Sequence, residues 1–316
     1  MTEIKIPLTV PLAKHREYLK NFNLATASSG SLFLFAGDQK VEHLNNDFVG
    51  SGISLEDASP EHLFQIASAA PIGVFAAHLG LIAHYGADYP KVPYLVKLNG
   101  RTNLYEGTEN LMSKAWLKVE DIVEFKKQNK LNILGVGYTV YLGGANESKM
   151  LKSAAKIIRE AHQNGLLAVI WMYPRGKNIN EDDIHTIAGG AGVAAALGAD
   201  FVKIKYPYNK TIKATAEAFK EATDAAGRTR VICVGGSKQD AKELITYAWY
   251  QKHISGTCGM ALGRNLHQRT LPDAIKLATA LALIINHEAS LEDALDVYSG
   301  KKKIEHRRQS DFLGIF

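Results

Sequence analysis

Eight short apolar runs, each followed by a stretch of helical periodicity, divide this chain at fairly even intervals. The runs lie near residues 31–38, 73–77, 93–99, 131–139, 167–173, 201–206, 230–235 and 256–263, with helical patterns such as 149–162, 212–226, 239–250 and 272–287 between them. Strands that alternate with helices pair in parallel, because each crossover must return the chain to the same edge. Eight such units with no Pro/Ser-rich linker predict α/β architecture: a single (β/α)8 TIM barrel. We expect one domain across 1–316: an N-terminal helical extension over 1–30 that plugs the barrel, the barrel over 31–289, and a basic C-terminal tail over 290–316. The long connection 100–116 follows a strand's C-terminal end and is expected to be an active-site loop.

Composition narrows the function classes. A net charge of +5 on 316 residues would help gather anionic small molecules, but it gives little reason to expect nucleic acid. No apolar run is long enough to span a bilayer, and the N-terminus lacks the apolar core of a signal peptide. Cys233 and Cys258 sit in apolar strand-like runs and read as buried thiols, which fits a reduced, cytoplasmic protein. No metal-ligand spacing or nucleotide-binding motif is present, so neither a metal nor another cofactor is expected. The partners expected are a small-molecule substrate and further copies of the chain, as a homo-oligomer.

Alternation within the strands locates the polar residues. In a barrel one strand face packs on helices and the other fills the interior, with active sites at the C-terminal strand ends. The first strand then turns Leu34, Ala36 and Asp38 inward; the third Leu95, Lys97 and Asn99; the fifth Val169, Trp171 and Tyr173; the sixth Phe201, Lys203 and Lys205. Three inward lysines with an aspartate to pair one of them point to chemistry. A crowded, partly desolvated ammonium loses its proton more easily, and the free amine can attack a carbonyl to form a Schiff base. Lys205, nearer the mouth, is expected to keep the Lys203 pKa low. The turns "VGGSK" (Gly235, Gly236) and "LGRN" (Gly263, Arg264) end the last two strands, where barrels often hold phosphate on backbone N–H groups.

These residues resemble the class I fructose-1,6-bisphosphate aldolases of the archaeal and bacterial (DhnA-like) type. The likeness runs from about residue 31 to 287 and rests on "GDQKVEHLNNDF", "LVKLNGRTNLY", "VGYTVYLG", "VIWMYPRG", "GADFVKIKYP", "VICVGGSK" and "ISGTCGMALGRNLHQ". It implies a metal-independent cleavage of a phosphorylated ketose, with Lys203 as the Schiff-base lysine, Tyr173 as the acid/base, Trp171 beside it and Asp38 on substrate hydroxyls. His43 falls at the family's following histidine. Gly235, Gly236, Gly263 and Arg264 match the site for the phosphate nearest the carbonyl, and Arg175 resembles a contact for the distal one. Where many members read Asp-His-Gly, this chain reads Asp38-Gln39-Lys40. That departure is expected to alter the loop over the sugar's distal end, with Lys40 either a phosphate contact or, more simply, solvated. The rivals are another Schiff-base aldolase, a transaldolase or a thiolase-like acyl transferase on a different phosphorylated ketose, and a non-catalytic sugar-phosphate-binding regulator.

Overall fold

The structure, a computed structural model, describes residues 4–104, 107, 111–207 and 211–302. Its strands are β1 (Leu32–Ala36), β2 (Val74–His78), β3 (Tyr94–Lys97), β4 (Ile133–Leu142), β5 (Leu167–Pro174), β6 (Phe201–Ile204), β7 (Arg230–Val234) and β8 (Gly259–Leu262). They pair in chain order, all parallel, and β8 returns to β1 to close the ring. The expected TIM barrel is therefore what forms.

The faces divide as the alternation predicts. Leu34, Ala76, Leu95, Val169, Phe201 and Ile232 belong to one buried cluster inside the ring. Their neighbours Phe35, Phe75, Val96, Ile170, Val202 and Cys233 belong to the larger cluster shared with the helices. Each large side chain inside needs space from a strand near it. A Cβ on Gly137 of β4 would lie 2.5 Å from the Trp171 ring, so this glycine makes room for the tryptophan. At the seam, Gly259 has φ +124°, and a Cβ there would meet the Leu32 carbonyl oxygen at 2.0 Å. Only glycine fits at the closure.

The N-terminal helix (His15–Ala25) buries Tyr18, Asn21, Phe22 and Ala25. Phe22 stacks on the inward Phe201 with ring centroids 5.8 Å apart, which plugs the end of the barrel opposite the strand C-termini. Below it the Tyr18 hydroxyl donates to Asp200, which also accepts from the Ala168 N–H and contacts His162.

Two elements differ from the sequence reading. The helix expected over 212–226 is two, Ile212–Ala218 and Lys220–Ala226, broken where Phe219 packs into the core against Tyr206. Residues expected to begin the C-terminal tail instead form a helix, Leu291–Ser299. Ser290 caps it, Glu292 and Asp293 occupy its first turn, and Gly300 ends it in the left-handed conformation. The basic stretch 303–316 lies outside the described residues, as do 105–106 and 108–110 of the expected active-site loop. No helix among the described residues is long and apolar enough to cross a membrane.

Candidate active site

The C-terminal ends of β1, β3, β5 and β6 bring four of the expected side chains into contact range. Trp171 is fully buried, and its indole carries two ammonium groups: Lys97 Nζ lies 4.9 Å from the ring and Lys203 Nζ 5.0 Å. Lys97 Nζ stands 3.3 Å from Asp38 Oδ2 and 3.8 Å from Glu42 Oε1, and it donates to the Asn99 carbonyl at 3.2 Å. Lys97, Asp38 and Lys203 are all almost wholly removed from solvent. Buried charges persist only when they neutralise one another, and here two cations share two carboxylates.

This crowding sets the protonation states. Burial pushes the Lys203 ammonium below its ordinary pKa; Asp38 and Glu42 oppose this, while Lys97 and Arg264 add to it. Burial works against the Asp38 carboxylate, yet Lys97 and Lys203 outweigh it and hold Asp38 below the usual carboxylate range. Tyr173, the next inward residue after Trp171, is pushed the other way. Burial and the nearby Glu42 and Asp38 raise its phenol well above the ordinary value, so it keeps its proton. An amine disposed to be neutral, a carboxylate kept ionised and a phenol kept protonated thus share one mouth.

The last two strands end in two turns that lie side by side. β7 and β8 are parallel neighbours with Val234 opposite Ala261, and Asn265 ties their turns together. Its amide donates to the carbonyls of Gly235 and Ser237 at 2.9 and 3.0 Å, and its oxygen accepts from the Gln239 N–H. Gly236 has φ +66°, and a Cβ on Gly235 would strike Leu262. Arg264 lies 3.6 Å from Asp47, whose carboxylate also takes His43 Nδ1 at 2.6 Å. His43 therefore supports the Arg264 side of the mouth through Asp47.

Lys205 requires a correction. β6 ends at Ile204, and the Lys205 ammonium leaves the interior to pair with Asp182 at 3.0 Å. It lines a cavity of about 520 Å³ with Gly236, Ser237 and Gln239. The positive charges that bear on Lys203 come from Lys97 and Arg264 instead. Alternation stops where ladder hydrogen bonding stops, which is why the inward assignment fails two residues beyond Lys203.

Four further expectations are refined. Arg175 is at the mouth beside Tyr173, but its guanidinium forms a two-point pair with Glu181 at 3.0 and 3.2 Å. Gln39 packs its amide on Gly263, where a Cβ would meet Nε2 at 2.1 Å, so this residue bears on the turn after β8. Lys40 is not simply solvated: its ammonium caps the Phe48 ring at 4.0 Å and reaches Asn45. Asn99, two residues past the end of β3, is buried, and its side-chain amide is used up by the backbone of Ser113 and Thr139.

Sequence reasoning missed Glu42, Tyr141 and His78. Glu42 ends the short helix Gln39–Glu42 after β1, outside any strand periodicity. Tyr141 continues the inward face of β4 and stacks on Tyr173, with centroids 6.3 Å apart. His78 is the last residue of β2, one beyond the run read from sequence, and shares the inward face of Val74 and Ala76. Burial and Lys97 lower its pKa to about 4 against the opposing pull of Asp38, so the imidazole is neutral. Among the described residues no group of three or more His, Cys, Asp or Glu side chains is arranged to hold a metal ion.

Residues 32–269 match the model of the DeoC/LacD family aldolases, a span that holds the whole ring and every residue of this mouth. The chain belongs to that family. A curated relative from Methanocaldococcus jannaschii, named fructose-bisphosphate aldolase/6-deoxy-5-ketofructose 1-phosphate synthase, is 51% identical over 95% of this chain and 96% of its own. A solved fructose-bisphosphate aldolase from Slackia heliotrinireducens superposes with a TM-score of 0.93 at 42% identity, covering 97% of both chains. An archaeal fructose-1,6-bisphosphate aldolase, solved with its catalytic lysine covalently bound to the carbinolamine intermediate of the substrate, superposes at TM-score 0.72. It is 32% identical and covers 85% of this chain and 99% of its own. Within its family this aldolase therefore stands among archaeal and bacterial enzymes of the Schiff-base type.

Proposed function

We propose that this chain is a class I, metal-independent aldolase that reversibly cleaves fructose 1,6-bisphosphate to dihydroxyacetone phosphate and glyceraldehyde 3-phosphate. The observation that carries this reading is the buried Lys203 amine, sharing the Trp171 indole with Lys97 and disposed to lose its proton, beside an ionised Asp38. No such arrangement is needed merely to bind a sugar phosphate.

The chemistry follows from the protonation states. The neutral amine of Lys203 adds to the ketone carbon to give a carbinolamine, and loss of water leaves a protonated imine. As the C3–C4 bond breaks, its electron pair moves into the imine and forms an enamine. The proton lost from the C4 hydroxyl is the one that C3 later regains, and Asp38 and Tyr173 are the acceptor and donor suited to hold it between those moments. Water then releases the ketone and restores the amine. Lys97 keeps Asp38 ionised throughout, and the Gly235–Gly236 and Gly263–Arg264 turns hold the phosphate nearest the carbonyl.

Incubation with fructose 1,6-bisphosphate and borohydride should leave a reduced adduct, located by mass spectrometry on Lys203, and cleavage should persist in excess EDTA. Lys203→Met should abolish trapping. An adduct on Lys205, or activity lost to EDTA and restored by zinc, would refute the reading.

A second reading is favoured by one observation, the double name of the relative at 51% identity. Aldol cleavage of 6-deoxy-5-ketofructose 1-phosphate would leave the same ketone half and a 2-oxoaldehyde, so the same Lys203 imine could serve both sugars. Assay of both ketose phosphates on one preparation separates the two readings.

A further inference from the structure

His78 is 94% buried by the measure of its 6% residual exposure, and one of its ring nitrogens has no partner. Nε2 lies 3.3 Å from the Asn99 carbonyl. A carbonyl can only accept, so Nε2 carries the hydrogen and Nδ1 is left with a lone pair and nothing to receive. The ring is fixed in that setting. Trp116 stacks on it at 4.7 Å with planes 24° apart, and Gly100 leaves space that a Cβ would close to 3.0 Å from Nε2. A buried acceptor without a donor is costly in a finished core, and such groups ordinarily find a partner. A donor supplied by substrate would complete it.

The topology says which part of the substrate comes near. In a closed ring of eight strands β2 lies across from β6. On the reading above, the phosphate turns of β7 and β8 and the imine at Lys203 fix the ketone half on the far side. The carbons beyond the breaking bond then extend toward β2 and β3, where His78 and Lys97 are register partners. We propose that His78 is a specificity-determining contact that accepts, through Nδ1, a hydrogen bond from a hydroxyl on the aldehyde half of the substrate. The inference rests on the Schiff-base reading and goes further, since it assigns the side chain that tells a hydroxyl from a carbonyl at that position. A hydroxyl can donate to Nδ1. A carbonyl oxygen placed there meets a lone pair and gains nothing.

The test uses two aldehyde acceptors, 2-hydroxypropanal and 2-oxopropanal, which carry a hydroxyl and a carbonyl respectively at C2, with dihydroxyacetone phosphate as the common ketone. The quantity read is the ratio of kcat/KM for the hydroxyaldehyde to that for the oxoaldehyde. Borohydride trapping of dihydroxyacetone phosphate alone reports the ketone half. His78→Gln offers a polar group near Nε2 but none near Nδ1, and His78→Asn does the reverse. Expected are trapping in both variants, a ratio lower by roughly tenfold in the Gln variant, and partial recovery in the Asn variant. A role confined to the Nε2 bond would reverse that order, and an unmoved ratio or loss of trapping in the variants would equally overturn the proposal. Failure of the wild-type chain to trap would instead sink the aldolase reading, and this inference with it.

Discussion

Lys97 stands 3.3 Å from Asp38 and shares the Trp171 indole with Lys203, so removing it changes the Lys203 amine twice over. A like charge disappears, and Asp38 is freed to stabilise the Lys203 ammonium; both effects raise the Lys203 pKa from its depressed position. Imine formation needs the free amine, so the rate rises with pH on the acid limb. In Lys97→Met that limb should move to higher pH, at about a tenfold loss of rate at neutral pH for each unit of displacement. Borohydride trapping rates across pH check this, and an unmoved limb would mean that Lys97 does not tune Lys203. The same residues show what the sequence discloses at this scale. Lys97 and Lys203 were legible because they lie within hydrogen-bonded strands, where alternation dictates the face. Lys205 was misread because it lies past the last ladder bond, and His78 was missed because β2 runs one residue further than its apolar run.

Strand pairs set the shape of the mouth. β4 gives up a side chain at Gly137 so that β5 can place Trp171 against both Lys97 and Lys203. Gly137→Ala should overpack the interior, at a cost of about 1–3 kcal/mol, and tilt the indole. A lower Tm accompanied by a raised KM would bear this out; full activity in a destabilised enzyme would not. β7 and β8 give the second element-scale test. Arg264 borders their turns and is held by Asp47. A charge-assisted hydrogen bond is worth about 1.5–3 kcal/mol, so Arg264→Ala should raise KM for a phosphorylated ketose by roughly one to two powers of ten. Trapping on Lys203 should survive at saturating ketose, whereas unchanged kinetics would place the phosphate elsewhere. Pairing of the two glycine turns was legible, because neighbouring parallel strands end at the same pole. Asn265, which ties them, was not, since a side chain bonding across two loops leaves no periodic trace.

The whole molecule separates its two ends. On the proposed reading substrate chemistry sits at the strand C-termini, whereas the N-terminal helix seals the other pole through Phe22 and the Tyr18–Asp200 bond. Tyr18→Phe should therefore cost about 1–2 kcal/mol and lower the Tm by a few degrees with kcat and KM intact. A kinetic effect would show that the poles communicate. The ring's order was fully legible from eight alternating units, but nothing in their pattern announced that the closure turns on one glycine. The contact between β1 and β8 joins Leu32 to Gly259, so the first strand made at the ribosome waits for the last before its outer edge is satisfied. Until then β1 and β7 each expose a row of unpaired N–H and C=O groups, which any other strand can capture. Such long-range closure is slow, and partly formed rings are the species that aggregate. Gly259→Val, by blocking the approach of Leu32, should thus appear first as poor refolding yield and soluble oligomers of half-closed rings, before any assay of the mouth is possible.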